Sequence, residues 1–347
     1  MGVIIGVILH ALGGFASGSF YIPYKKVKGW AWESYWLTGG LFSWIFAPIV
    51  FGLATVANLF SVLGDAPGES IFWCYVMGML WGVGGLTFGL SMRYLGLSLG
   101  MSIALGYCSF FGTLIPPFWY GTLGELFQTR SGVMIILGLF VCLAGIAICG
   151  WAGMRKEKEL PDEQKKETIQ EFNYFKGLLV ATFSGIMSSC MAFGLAAGKP
   201  IAELAVQRGA DPLWQNNVVL VIVLLGGLTT NLVWTVYLNI KNKTGKDYTN
   251  TSTPLLSNYI FCAIAGVTWY LQFFFYGMGS TQMGKYDFSS WTLHMAFIII
   301  FSNLWGLYFR EWKGSTKTTL RIMIVGIAVV ILSTIVVGYG NYLGSLE

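Results

Sequence analysis

The chain has 347 residues, of which 55% are hydrophobic and 11% charged, with mean hydropathy +0.65 and a formal net charge of +5. Soluble globular domains carry roughly 25% charged residues, so the composition excludes that class. Forty-five glycines and 16% aromatic residues fit an all-α integral membrane protein, where small residues let helices approach closely. Six cysteines (Cys74, Cys108, Cys142, Cys149, Cys190 and Cys262) lie in apolar runs without CxxC or metal spacing and read as free core thiols. P-loop, GxGxxG and HExxH patterns are missing, so an enzyme, a cofactor and a metal site are all unsupported. The basic residues sit in short loops between apolar runs, which favours membrane orientation over nucleic-acid binding as their explanation. The first apolar run has no basic residues ahead of it and no small-residue cleavage site after it, so no cleavable signal is expected.

A spanning helix needs about 20 apolar residues. Ten such runs lie near 3–24, 33–57, 71–91, 96–119, 132–152, 177–197, 213–238, 257–279, 288–309 and 320–343. The long hydrophilic stretch at 155–176 divides the chain into five spans at 1–154 and five at 177–347. If that linker is cytoplasmic, 17 of the 21 basic residues fall on the same side, which predicts both termini outside, in the periplasm. The sequons at Asn242 and Asn250 then face the cytoplasm and are chance matches. An odd number of spans per half makes the second half enter the membrane upside down. Weak self-similarity agrees: Gly6, Gly14 and Ser17 align with Gly177, Gly185 and Ser188, and Trp81, Gly89 and Leu90 with Trp269, Gly277 and Met278. Two inverted five-helix repeats are the pattern of a transporter with its site near the midplane between halves.

In the first span His10, Gly14, Ser17, Tyr21 and Tyr24 share a face. A membrane histidine usually faces the bundle interior; it is either part of a site or a neutral ring bonded to a carbonyl. Lys25, Lys26 and Lys28 read as cytoplasmic anchors, with Lys25 and Lys26 also candidates for gating. Glu33 opens the second span and shares a face with Trp36, Leu37, Gly40 and Trp44. Nearby lysines favour its charged form and desolvation opposes it, so Glu33 is either a proton-coupling group or half of a surface ion pair. Pro116-Pro117 should kink or end the fourth span, and Lys199-Pro200 should end the sixth. Glu125 and Glu311 follow their spans and read as surface residues. Asn231 and Asn303 are buried candidates for joining helices.

The richest stretch runs from Trp269 to His294. Trp269, Gln272, Phe273 and Tyr276 fall at i, i+3, i+4 and i+7, and after a polar turn Asp287, Trp291 and His294 repeat the spacing. Aromatic faces beside a few directed polar groups suit a small polyhydroxylated molecule; a packed aromatic interface is the alternative. The expected sugar contacts are His10, Gln272 and His294 through hydrogen bonds and Tyr24, Trp36, Trp269, Tyr276 and Trp291 through their rings. Glu33 and Asp287, each on an aromatic stripe, are the candidates for proton coupling.

The segments KKVKGWAWE, MRYLGLSLG, WYLQFFFYG and YDFSSWTLHM, set among ten spans, closely resemble the bacterial L-rhamnose–proton symporter family of the drug/metabolite transporter superfamily. The likeness runs from HALGG in the first span to EWK before the last. It implies uptake of L-rhamnose, with L-lyxose or L-mannose as related sugars, across the bacterial inner membrane, with protons as the coupling ion and no cofactor. It falls on His10, Lys25, Lys26, Glu33, Gln272, Asp287 and His294. An exporter of another small metabolite, and a sugar sensor that does not transport, are the competing functions.

Overall fold

The computed structural model describes residues 2–95, 97–119, 121–159, 173–310 and 312–346. Glu311 and the 160–172 part of the charged linker lie outside the described residues, as does the side chain of Lys285. Among the described residues, ten helices are long and apolar enough to cross a membrane. They are α1 (Gly2–Tyr24), α2 (Trp32–Thr55), α3 (Gly68–Ser91), α4 (Gly100–Phe118), α5 (Arg130–Glu159), α6 (Phe175–Gln207), α7 (Pro212–Asn242), α8 (Leu255–Thr281), α9 (Tyr286–Tyr308) and α10 (Lys317–Gly344). Each coincides with one of the ten expected runs, as it must where hydrocarbon leaves backbone groups no partner outside the helix. Ile4, Val233 and Ile335 are each more than 60% exposed, a cost that lipid removes and water would not.

Local chemistry sets the deviations. The α5 helix outruns its apolar stretch because Glu159 accepts hydrogen bonds from Thr316 N (2.8 Å), Thr316 Oγ1 (2.8 Å) and Thr319 Oγ1 (2.6 Å) at the start of α10. The helix containing α4 passes through Pro116 and Pro117 and ends two residues later, at Trp119. Within α6 one helix stops at Ala197 and another starts at Lys199 with Pro200 in its first turn, where a missing N–H is harmless.

The chain forms two compact units. The first comprises Met1–Phe15, Val83–Ala192 and Gly279–Glu347, and the second Ala16–Gly82 and Phe193–Met278. The first therefore holds α4, α5, α9 and α10, the second holds α2 and α7, and α1, α3, α6 and α8 contribute to both. In the first unit α5 and α10 lie along one another, with Gly138 and Gly145 receiving Val337 and Val330 while Gly326 and Gly340 receive Cys149 and Ile135. Its core adds Ala296, Ile299 and Ile300 of α9 to Cys142, Ile146 and Val330. In the second unit Gly226 of α7 lies on the backbone of α3, and Gly266 of α8 on Gly39 of α2. Small residues at these crossings give the dispersion contact that holds helices together where no hydrophobic drive exists.

Candidate functional site

The second unit gathers most of the expected sugar-binding rings. A π-helical turn at Phe42–Phe46 interrupts α2, the kind of register change that often marks a functional position. It leaves Trp44 3% exposed with its ring against Gly40. Ring centroids follow in sequence: Trp36 to Trp44 at 6.3 Å, Trp44 to Trp269 at 6.0 Å, Trp269 to Trp81 at 5.5 Å and to Phe273 at 5.2 Å. Trp36 Nε1 donates to Asn231 Oδ1 (3.1 Å), and Asn231 Nδ2 to Gly227 O (2.9 Å), so Asn231 holds a ring in place. Phe20, Tyr24, Trp36, Ser43, Trp44 and Trp269 line a slot of about 10 Å³, room for about one water.

One polar group of this set is unmet. Trp44 Nε1 is buried and has no hydrogen-bond partner among the described residues. Gln272, one turn from Trp269, is 5% exposed. Buried polar groups are nearly always bonded, and each exception costs about 1–3 kcal/mol. A donor left open among tryptophan faces is what a sugar hydroxyl would satisfy. Tyr276 is buried on the same helix. Trp44 and Trp81 were missing from the expected contacts; Trp44 was legible on the Glu33–Trp36 face, and Trp81 as the partner of Trp269 in the self-alignment.

The first unit holds the histidines. His10 and His294 are fully buried and near enough to interact electrostatically. The His10 ring sits against Gly279, where an added Cβ would come within 2.9 Å of it. Trp291, 2% exposed, donates Nε1–H to Cys108 O (3.0 Å) and seats its ring on Gly112, 6.0 Å from the His294 ring. Its N–H is thus engaged by the protein's own backbone. The expected single stripe of Asp287, Trp291 and His294 does not form. Gly284–Ser289 is a 3-10 turn with non-helical Tyr286, the regular helix begins at Ser290, and Asp287 is exposed. Glycine at φ +61° starts that turn at Gly284, which breaks the 3.6-residue periodicity the spacing argument assumed.

Glu33 is 5% exposed, and Oε1 accepts from Asn242 Nδ2 (2.9 Å) and Thr244 Oγ1 (2.8 Å). No lysine or arginine among the described residues pairs with it, so the ion-pair reading is replaced by a buried carboxylate held by neutral donors. Lys25 and Lys26 are exposed. Asp247, in the 3-10 turn Gly245–Tyr248, is 7% exposed and accepts from Ala31 N (2.9 Å) and Ser34 Oγ (2.8 Å). Asp247 escaped the sequence reading because it lies in a polar loop with no recognisable motif; only contacts more than 200 residues apart in sequence show it beside Glu33's helix.

Ten spans, an interior of tryptophans with an open indole N–H and a buried carboxylate without a cation define a membrane carrier for a small polar solute. A family model described as L-rhamnose-proton symport protein (RhaT) matches residues 1–342. L-rhamnose-proton symporters of Yersinia pestis (strain Pestoides F) and Yersinia pseudotuberculosis serotype O:1b (strain IP 31758) are each 37% identical over 342 residues, covering 97% of this chain and 98% of each relative. The chain belongs to the L-rhamnose-proton symporter family, a family of transporters rather than enzymes.

Proposed function

We propose that this protein imports L-rhamnose together with protons across a bacterial inner membrane by alternating access, on the architecture of the drug/metabolite transporter superfamily. L-Lyxose and L-mannose are the next substrates to test. The observation that carries the sugar site is the open Trp44 Nε1 among the rings of Trp36 and Trp269, with Gln272 one turn along the same helix as Trp269. In this reading the tryptophan faces stack on the C–H faces of the sugar and the amide bonds its hydroxyls. Tyr24 and Tyr276 close the same set, and Lys25 and Lys26 anchor the adjoining loop. Between the two carboxylates considered for coupling, burial without a cation favours Glu33 over the exposed Asp287. His10, Trp291 and His294 are buried in the first unit.

Two inverted five-helix repeats, 1–154 and 177–347 about the 155–176 linker, are supported by how the units divide the spans. Renumbering the second half, α4 and α5 correspond to α9 and α10, α2 to α7, and the shared helices α1 and α3 to α6 and α8. Each unit thus takes matching spans from both halves. Trp81 and Trp269, equivalent in the self-alignment, also touch. The distribution of basic residues supports cytoplasmic placement of the linker and periplasmic termini.

The test is uptake of labelled L-rhamnose into right-side-out vesicles with and without a proton ionophore. Accumulation abolished by ionophore is expected. Efflux would indicate an exporter, and binding without flux a sensor; either would overturn the proposal.

A further inference from the structure

The second unit buries two acidic side chains among the described residues, Glu33 and Asp247, and both belong to one cluster. Serving them are Ala31 N, Ser34, Asn242 and Thr244, with Asn239 between. No cation among the described residues pairs with either carboxylate: Lys28, Lys241, Lys243 and Lys246 on the surrounding segments are exposed. The other titratable groups facing them are the phenols Tyr35 on α2 and Tyr248 in the loop after α7. Asn258 of α8 bonds only the backbone of Lys28.

Counting protons shows a deficit. Asn239, 9% exposed, donates Nδ2–H to Thr235 O (2.9 Å), which leaves Oδ1 as an acceptor toward the hydroxyls of Ser34 (3.4 Å) and Thr244 (3.3 Å). Each hydroxyl has one proton, and each has a carboxylate closer: Asp247 Oδ2 at 2.8 Å for Ser34, Glu33 Oε1 at 2.8 Å for Thr244. Each proton lies nearer its carboxylate, so Asn239 Oδ1 holds only the longer share of both hydroxyls. The buried Tyr248 hydroxyl lies beside Asn239 and Ser34 without reaching hydrogen-bond geometry with either. Burial holds the Tyr248 phenol above its ordinary pKa, so it keeps its own proton throughout. One proton added to either carboxylate would release a hydroxyl to Asn239 and complete the set.

We propose that Glu33 and Asp247 together bind one exchangeable proton, shared through Ser34, Asn239 and Thr244, and that this is the coupling proton of transport. The inference rests on the rhamnose–proton reading above and adds Asp247 as the second half of its proton site. Bridged through those three side chains, the carboxylates share a proton that neither owns alone. The cluster also joins the loop before α2, the end of α7 and the loop after it, so occupancy by the proton sets how firmly those segments hold together.

The experiment uses the purified full chain in weak buffer with a pH-indicating dye, and the same protein in liposomes with an imposed pH gradient. In the wild type, adding L-rhamnose should draw protons from solution. Asp247→Asn and Glu33→Gln should each abolish that uptake and gradient-driven accumulation, with sugar counterflow still measurable. Milder changes test the count directly. Thr244→Val, which removes a donor, should raise the pH of half-maximal proton uptake by about one to two units, the size of one hydrogen bond to a charged group. Asn239→Ala, which removes the competing acceptor, should lower it. Asp247→Asn with wild-type proton uptake, or unshifted profiles in the two milder variants, would overturn the inference while leaving rhamnose symport standing. A wild type that takes up no proton with rhamnose would overturn both.

Discussion

At the scale of single residues, the buried polar groups of the site make the sharpest claims. Gln272→Ala should raise the apparent dissociation constant for L-rhamnose about tenfold or more, since a buried hydrogen bond is worth about 1–3 kcal/mol and about 1.4 kcal/mol is a factor of ten. Trp44→Phe keeps the ring in the slot and deletes the indole N–H; it should weaken binding while leaving the melting temperature near wild type. Isothermal titration and thermal melting on the same samples separate these effects. Equal affinity in both variants would remove them from the sugar. Gln272 was legible because an amide deep in an apolar run is costly anywhere else. Trp44 was visible on its face but carried no polar signal, since an indole N–H is invisible to hydropathy. Asp247 was not legible at all: its meaning depends on Ala31 and Ser34, more than 200 positions away.

At the scale of elements, helix count and extent follow from apolar length, and the chain matches them because hydrocarbon enforces intrahelical bonding. Register within an element is another matter. Two departures from simple periodicity, the π turn in α2 and the 3-10 turn at the start of α9, sit where site residues were expected, and each changes which side chains share a face. Close helix approach supplies a separate test. At Gly226 a side chain would run into backbone atoms of Tyr75, Gly78 and Met79, which cannot yield as a flexible side chain can. Gly226→Leu should therefore destabilise the protein by about 1–3 kcal/mol, whereas Gly85→Ala, with open space at its Cβ, should melt like wild type. A Gly226→Leu protein as stable as Gly85→Ala would refute this packing of α7 on α3.

At the scale of the molecule, one proton crossing with the sugar brings about 2.3 kcal/mol per 100 mV of membrane potential, enough for roughly fifty-fold accumulation. Such coupling needs the carrier to exist in distinct states, and the slot beside Trp44 is narrow. Ligand pockets occupy about 300–1,000 Å³, while this space, at about 10 Å³, admits no monosaccharide. At the sugar site proposed above, rhamnose would wait for the tryptophans to separate, and capture would be limited by a rearrangement of the protein and not by collision. Mixing protein with rising sugar concentrations and following indole fluorescence should give a rate that levels off instead of climbing linearly. Three indoles around the slot, at positions 36, 44 and 269, make the carrier its own reporter of that gate.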